Sequence, residues 1–162
     1  MNDSDWAADR WQDRTRCLLR RTRELDLASL GLLTRTFCLL LAAKIALQVI
    51  PVGQIIAWKQ RPLAPRPLAP RPILTHAQAL EINNTVRWAV LVVARYSPFE
   101  FVCFPTCLAA SALLRGQGIE SRLHYGVTRL DRKLATHTWL EASGETVIGG
   151  EVAAHYSTLA VY

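Results

Sequence analysis

The 162-residue sequence predicts an α+β fold: a helical N-terminal region (residues 1–60), a proline-rich linker (61–74) and a C-terminal domain (75–162). Three observations carry this reading. Apolar residues recur at helical spacing through the first 50 positions and again over 75–98. The segment RPLAPRPLAPRP at 61–72 repeats RPLAP, and proline's fixed φ and missing N–H bar helix and central strand there. After residue 119 the period shortens to two, with β-formers between turn signals, which is the pattern of strands.

The elements follow in order. DWAADRWQDRTRCLLRRTREL (5–25) reads as an amphipathic helix. The next stretch, to Pro51, is apolar but interrupted by Arg35 and Lys44. Its longest uncharged run falls short of the ~20 residues a bilayer span needs, so a buried helix is expected. THAQALEINNTVRWAVLVVARYSP (75–98) predicts a helix ended by Ser97-Pro98. Pro105 suits the first turn of a further helix, and Gly116 or Gly118 suits its end. ESRLHYGVTRL, THTWLEA and TVIGG predict three antiparallel strands joined by DRKLA and SGE.

The net charge of +6 is unevenly spread. Residues 1–75 hold 12 Lys/Arg against 6 Asp/Glu, whereas 76–162 hold 7 of each. An acidic partner surface or peripheral membrane contact is therefore expected of the N-terminal half alone. Nucleic acid is not expected, because no aromatic residues interleave with the arginines and no base-reading motif is present. Four cysteines are too few and too irregular for a disulfide scaffold. The start MNDSDWAADRW has neither a basic opening nor an apolar signal core, so a cytoplasmic chain with reduced thiols is expected.

Cys103 and Cys107 frame the chemistry. A cysteine at a helix start sits at the positive end of the helix dipole, which favours thiolate. Cys103 falls there, two residues before Pro105, whereas Cys107 lies one turn inside and shares a stripe with Ser111 and Leu114, so packing is its expected role. His137, in THTWLEA, is the candidate base. Strand alternation puts His137, Trp139 and Glu141 on one face, expected to be the face toward the cysteine helix, with Thr138 and Leu140 opposite. Zinc binding by Cys103, Cys107 and His124 or His137 competes with this reading, although the spacing fits no standard zinc pattern.

CFPTCLAASALLRGQGIESRLHYGV followed by ATHTWLEASGETVIGG resembles the transglutaminase-like leader peptidases of lasso-peptide biosynthesis, the microcin-processing family. The resemblance spans roughly residues 86–160. It rests on Cys103-Phe104-Pro105, Leu113-Leu114-Arg115, Gly118-Ile119, Arg122-Leu123, Gly126-Val127 and His137-Thr138-Trp139-Leu140-Glu141 with Gly144. It implies a papain-like or transglutaminase-like C-terminal domain, with Cys103 as nucleophile and His137 as base in cleaving the leader from a precursor peptide. The family's acidic third member falls on glycine here; Glu151, the nearest carboxylate, is expected to take its place, with Glu145 in the turn and Glu141 on the histidine's own strand as the alternatives. The absence of a strand pattern before residue 75 resembles the split form, which implies a separate winged-helix leader-binding protein. A separate ATP-using macrolactam cyclase would act after cleavage. No cofactor of the peptidase itself is implied. An acyl-transferring enzyme on the same fold and an inactive peptide-binding scaffold are the alternatives.

Overall fold

A computed structural model describes residues 27–51, 53–55, 57, 74–130 and 133–162. The helix expected at 5–25 and nearly all of the proline-rich segment lie outside them. The described chain forms three long helices, α1 (Leu27–Val49), α2 (His76–Tyr96) and α3 (Cys103–Gly116), before strands β1 (Ser121–Leu130), β2 (Lys133–Ala142), β3 (Glu145–Ile148) and β4 (Ser157–Val161). A short 3₁₀ turn at Ala153–His155 precedes β4.

Helix α2 begins where its sequence directs. Thr75 and Gln78 form a reciprocal capping box, with the Gln78 N–H donating to Thr75 Oγ1 at 3.3 Å and the Thr75 N–H to Gln78 Oε1 at 2.9 Å. Ser97 closes the helix before Pro98, as the sequence predicts. Helix α3 starts at Cys103 and carries Pro105 in its first turn, where the missing N–H would have no intrahelical partner in any case.

The sheet is wholly antiparallel in the order β3-β2-β1-β4. Strand β2 is longer than THTWLEA, because Lys133 to Ala135 continue the pairing with β1. Strand β4 has no counterpart among the three strands expected from the sequence; it is an exposed edge strand with no turn signal before it. Mutual backbone bonds of 2.8 Å between Leu123 and Tyr162 carry its pairing to the last residue.

The core lies between the sheet and the two C-terminal helices. Val86 and Val90 of α2, Cys107, Leu113 and Leu114 of α3, and Leu123, Leu140 and Ile148 of the sheet fill it. This corrects the expected facing of β2. Leu140 and Ala142 look toward the helices, so His137, Trp139 and Glu141 occupy the opposite face. Their alternation is unambiguous, but both faces of β2 are covered. Compact aliphatic residues fit the helix–sheet layer, while Trp139 is covered by other rings.

Helix α1 packs on α2 and α3, with Leu32 and Leu39 against the core. Its expected burial is also corrected: only Thr36 and Leu40 are buried, while Leu27, Leu30, Ile45 and Val49 are exposed. The helix runs through both charges because each finds somewhere to go. Lys44 Nζ donates to the Glu100 carbonyl at 2.8 Å and lies 5.8 and 5.6 Å from the Phe99 and Phe101 ring centres. The Arg35 guanidinium lies against Gly116 of α3, where a Cβ would be 2.9 Å from its Nη2.

Candidate functional site

Cys103 is the first residue of α3 and is half-buried. Val102 precedes it in extended conformation, and no side chain caps the helix. The first intrahelical backbone bond runs from the Thr106 N–H to the Val102 carbonyl at 3.4 Å. The N–H groups of Cys103 and Phe104 therefore stand ahead of the hydrogen-bonded ladder, at the positive end of the helix dipole. The Thr106 hydroxyl donates to the Cys103 carbonyl at 2.7 Å and holds this first turn in shape.

Cys107, one turn further on the same side of the helix, is completely buried in the core. Its thiol donates to the Thr138 carbonyl at 3.5 Å. This contact ties the start of α3 to the residue beside His137.

His137 is half-buried, with its Nε2 2.8 Å from the Gly149 carbonyl oxygen. A carbonyl can only accept, so Nε2 carries a proton, and in the neutral ring the lone pair is on Nδ1. The imidazole is also held by rings. Its centre is 6.2 Å from that of Trp139, with the planes 16° apart, and 5.1 Å from that of Tyr156. Gly126 is the cross-strand partner of His137, and its lack of a side chain makes room: a Cβ there would stand 2.8 Å from the Trp139 ring.

Gly149 joins the two halves of the site. Its φ of +77° belongs to the left-handed region. A Cβ on it would stand 2.8 Å from the Thr138 carbonyl oxygen and 3.1 Å from His137 Nε2. The carbonyl that receives the Cys107 thiol thus leaves room only for glycine at the residue that holds His137.

Glu151, expected to orient His137, is placed against α2. Its carboxylate pairs with Arg87 of α2 at 2.9 Å, while the His137 bond goes to the Gly149 backbone two residues earlier. A chain turning at Gly149 and Gly150 directs the following side chain toward α2, so nearness in sequence did not become nearness in space. The backbone acceptor at 149 had no side-chain signature.

On the same face of β2, His124 stacks on Trp139 with centres 5.2 Å apart. Its Nε2 lies 3.0 Å from Glu141 Oε2, a distance suited to an ion pair but without hydrogen-bond alignment. Among the described residues, no group of three or more His, Cys, Asp or Glu side chains is placed to hold a metal ion, so the zinc arrangement has no donor set there.

Among the described residues Cys103 and His137 share no hydrogen bond; the helix that begins at Cys103 meets the His137 strand through the Cys107 thiol and the Thr138 carbonyl. Neither the curated proteins nor the solved structures give a significant match to the chain. Comparison with protein families matches residues 37–161, from the middle of α1 to the end of β4, to the transglutaminase-like superfamily. On a match over most of its length, the chain belongs to the transglutaminase-like superfamily, a domain consistent with cysteine peptidase or acyltransferase activity.

Proposed function

We propose that this protein is a cysteine peptidase that removes the leader of a ribosomally made lasso-peptide precursor, with Cys103 as nucleophile and His137 as base. The observation that best supports the reading is the His137 bond to Gly149. It leaves Nδ1 as the basic nitrogen on a ring whose orientation is fixed by that bond and by Trp139 and Tyr156.

The reaction would run as follows. His137 Nδ1 takes the thiol proton of Cys103, and the thiolate attacks a peptide carbonyl of the precursor. The oxygen, now negatively charged, is received by backbone N–H groups at the uncapped start of α3. The imidazolium returns its proton to the leaving amine as the C–N bond breaks. A water molecule, deprotonated by the same imidazole, then hydrolyses the thioester and frees Cys103. A separate winged-helix protein would present the leader, and a separate ATP-using cyclase would close the macrolactam of the released core peptide.

The test combines the purified chain with a lasso precursor and its leader-binding protein, read by mass spectrometry. Separate leader and core peptides are expected from the wild type and none from Cys103→Ala or His137→Ala. In the wild type, iodoacetamide at mildly acidic pH should label Cys103 faster than the exposed thiol Cys38, and His137→Ala should remove that advantage. Cleavage by Cys103→Ala, or equal labelling of Cys103 and Cys38, would overturn the proposal.

A further inference from the structure

The exposed side of α1 departs from what a solvated helix carries. Leu27, Leu30, Thr34, Cys38, Ile45 and Val49 fall on one stripe at helical spacing, opposite the buried Thr36 and Leu40. Leu27 and Val49 are 88% and 76% exposed, and Ile45 is 52% exposed. The stripe contains no charge. Its one hydroxyl needs nothing from outside, because Thr34 Oγ1 donates to the Leu30 carbonyl of its own helix at 2.9 Å. Only 11% of the most apolar part of this 23-residue helix is buried.

We propose that this face lies on an anionic lipid surface, with α1 parallel to the plane of the membrane. Two features favour lipid over a protein partner. The stripe offers aliphatic surface without the arginine, tyrosine or tryptophan anchors of specific protein interfaces. Second, residues 27–75 contain 6 Lys/Arg and no Asp/Glu, so the chain's entire net charge arises in and just after this helix. Trp58, Lys59, Arg61, Arg66 and Arg71 follow α1 closely, a chemistry suited to the headgroup layer and to acidic lipids. The helix is long and apolar enough to cross a bilayer, but its other side is committed to the protein. Thr36 and Leu40 are buried and Lys44 binds the Glu100 carbonyl, so crossing would strip α1 from α2 and α3. A helix apolar on one side and protein-bound on the other lies in the interface.

Flotation of the full chain with phosphatidylcholine vesicles, with and without phosphatidylserine, tests this. The wild type should float with the phosphatidylserine vesicles, and high salt should weaken the association. Leu30→Glu/Ile45→Glu changes two exposed positions and should lower binding by roughly tenfold or more at unchanged circular dichroism. Replacing Lys59, Arg61, Arg66 and Arg71 by Gln should weaken binding by up to roughly fivefold per charge. The proposal fails if the wild type ignores acidic vesicles, or if the double Glu variant floats as well as the wild type. It also fails if the wild type self-associates without lipid and the double Glu variant abolishes that, since a second copy would then cover the stripe.

Discussion

Gly149→Ala separates the backbone's contribution to the site from ordinary strain. Gly149 has φ +77° and Gly144 has φ +83°, but they differ in surroundings. Around Gly144 no atom lies within 4 Å of an added Cβ, whereas at Gly149 it would meet the Thr138 carbonyl oxygen at 2.8 Å and His137 Nε2 at 3.1 Å. Gly144→Ala should therefore cost only the left-handed strain of a side chain, about 1–2 kcal/mol. Gly149→Ala adds a clash with a backbone atom that cannot rotate away. Overpacking of this kind costs about 1–3 kcal/mol, so the total is about 2–5 kcal/mol. The shift that relieves the clash moves the carbonyl away from His137. A neutral hydrogen bond contributes about 0.5–1.5 kcal/mol net, so alkylation of Cys103 should slow by about 2- to 10-fold. Urea unfolding and the rate of iodoacetamide labelling measure the two effects, with Gly144→Ala as the strain-only reference. If Gly149→Ala were destabilised no more than Gly144→Ala, the clash argument would be wrong. If it were destabilised as expected but Cys103 labelled at the wild-type rate, the Gly149 carbonyl would have no part in tuning the pair.

Two further substitutions test the assignment of roles. Glu151→Gln breaks a half-exposed pair with Arg87 and should cost about 0–1 kcal/mol in urea unfolding; labelling of Cys103 should stay close to the wild-type rate, and a collapse of that rate would restore the carboxylate to the mechanism. Cys107→Ala removes a completely buried sulfur and its contact with the Thr138 carbonyl, so about 1–2 kcal/mol of stability should be lost in the same unfolding assay; Cys103 should keep its labelling advantage over Cys38, and its loss would show that Cys107 does more than pack.

What the sequence shows and what it hides follow from which interactions leave a pattern. The helix over 75–98 was legible because the capping pair Thr75 and Gln78 and the stop at Ser97-Pro98 act within a few residues. Cys107 was legible as core because helical spacing sets it with Ser111 and Leu114, and Cys103 was legible as a residue of the helix start. The facing of β2 was not. Alternation groups His137 with Trp139 and Glu141, but Leu140 and Trp139 are both buried, so apolar character does not say which face meets the helices. The exposure of α1 was hidden for a similar reason. Hydropathy reports what a helix would rather touch, and tertiary structure decides what covers it.

The misplacement of Glu151 shows most about how such a site can be built. A carboxylate beside a catalytic imidazole fixes its tautomer and stabilises the imidazolium, and only the second of these needs charge. The Gly149 carbonyl performs the first, since it can bind His137 only through a protonated Nε2. For the second it offers a dipole in place of a full charge. The rings of Trp139 and Tyr156 restrict the imidazole to the geometry the carbonyl selects. This arrangement demands more of the backbone than an acid would. It needs a left-handed residue at 149, and the same residue must pass within contact of the Thr138 carbonyl that receives Cys107. Adding a side chain at 149 is therefore predicted to disturb strand packing and base orientation together. An acid placed at 149 would not form a conventional triad, because its own Cβ would displace the carbonyl that holds His137.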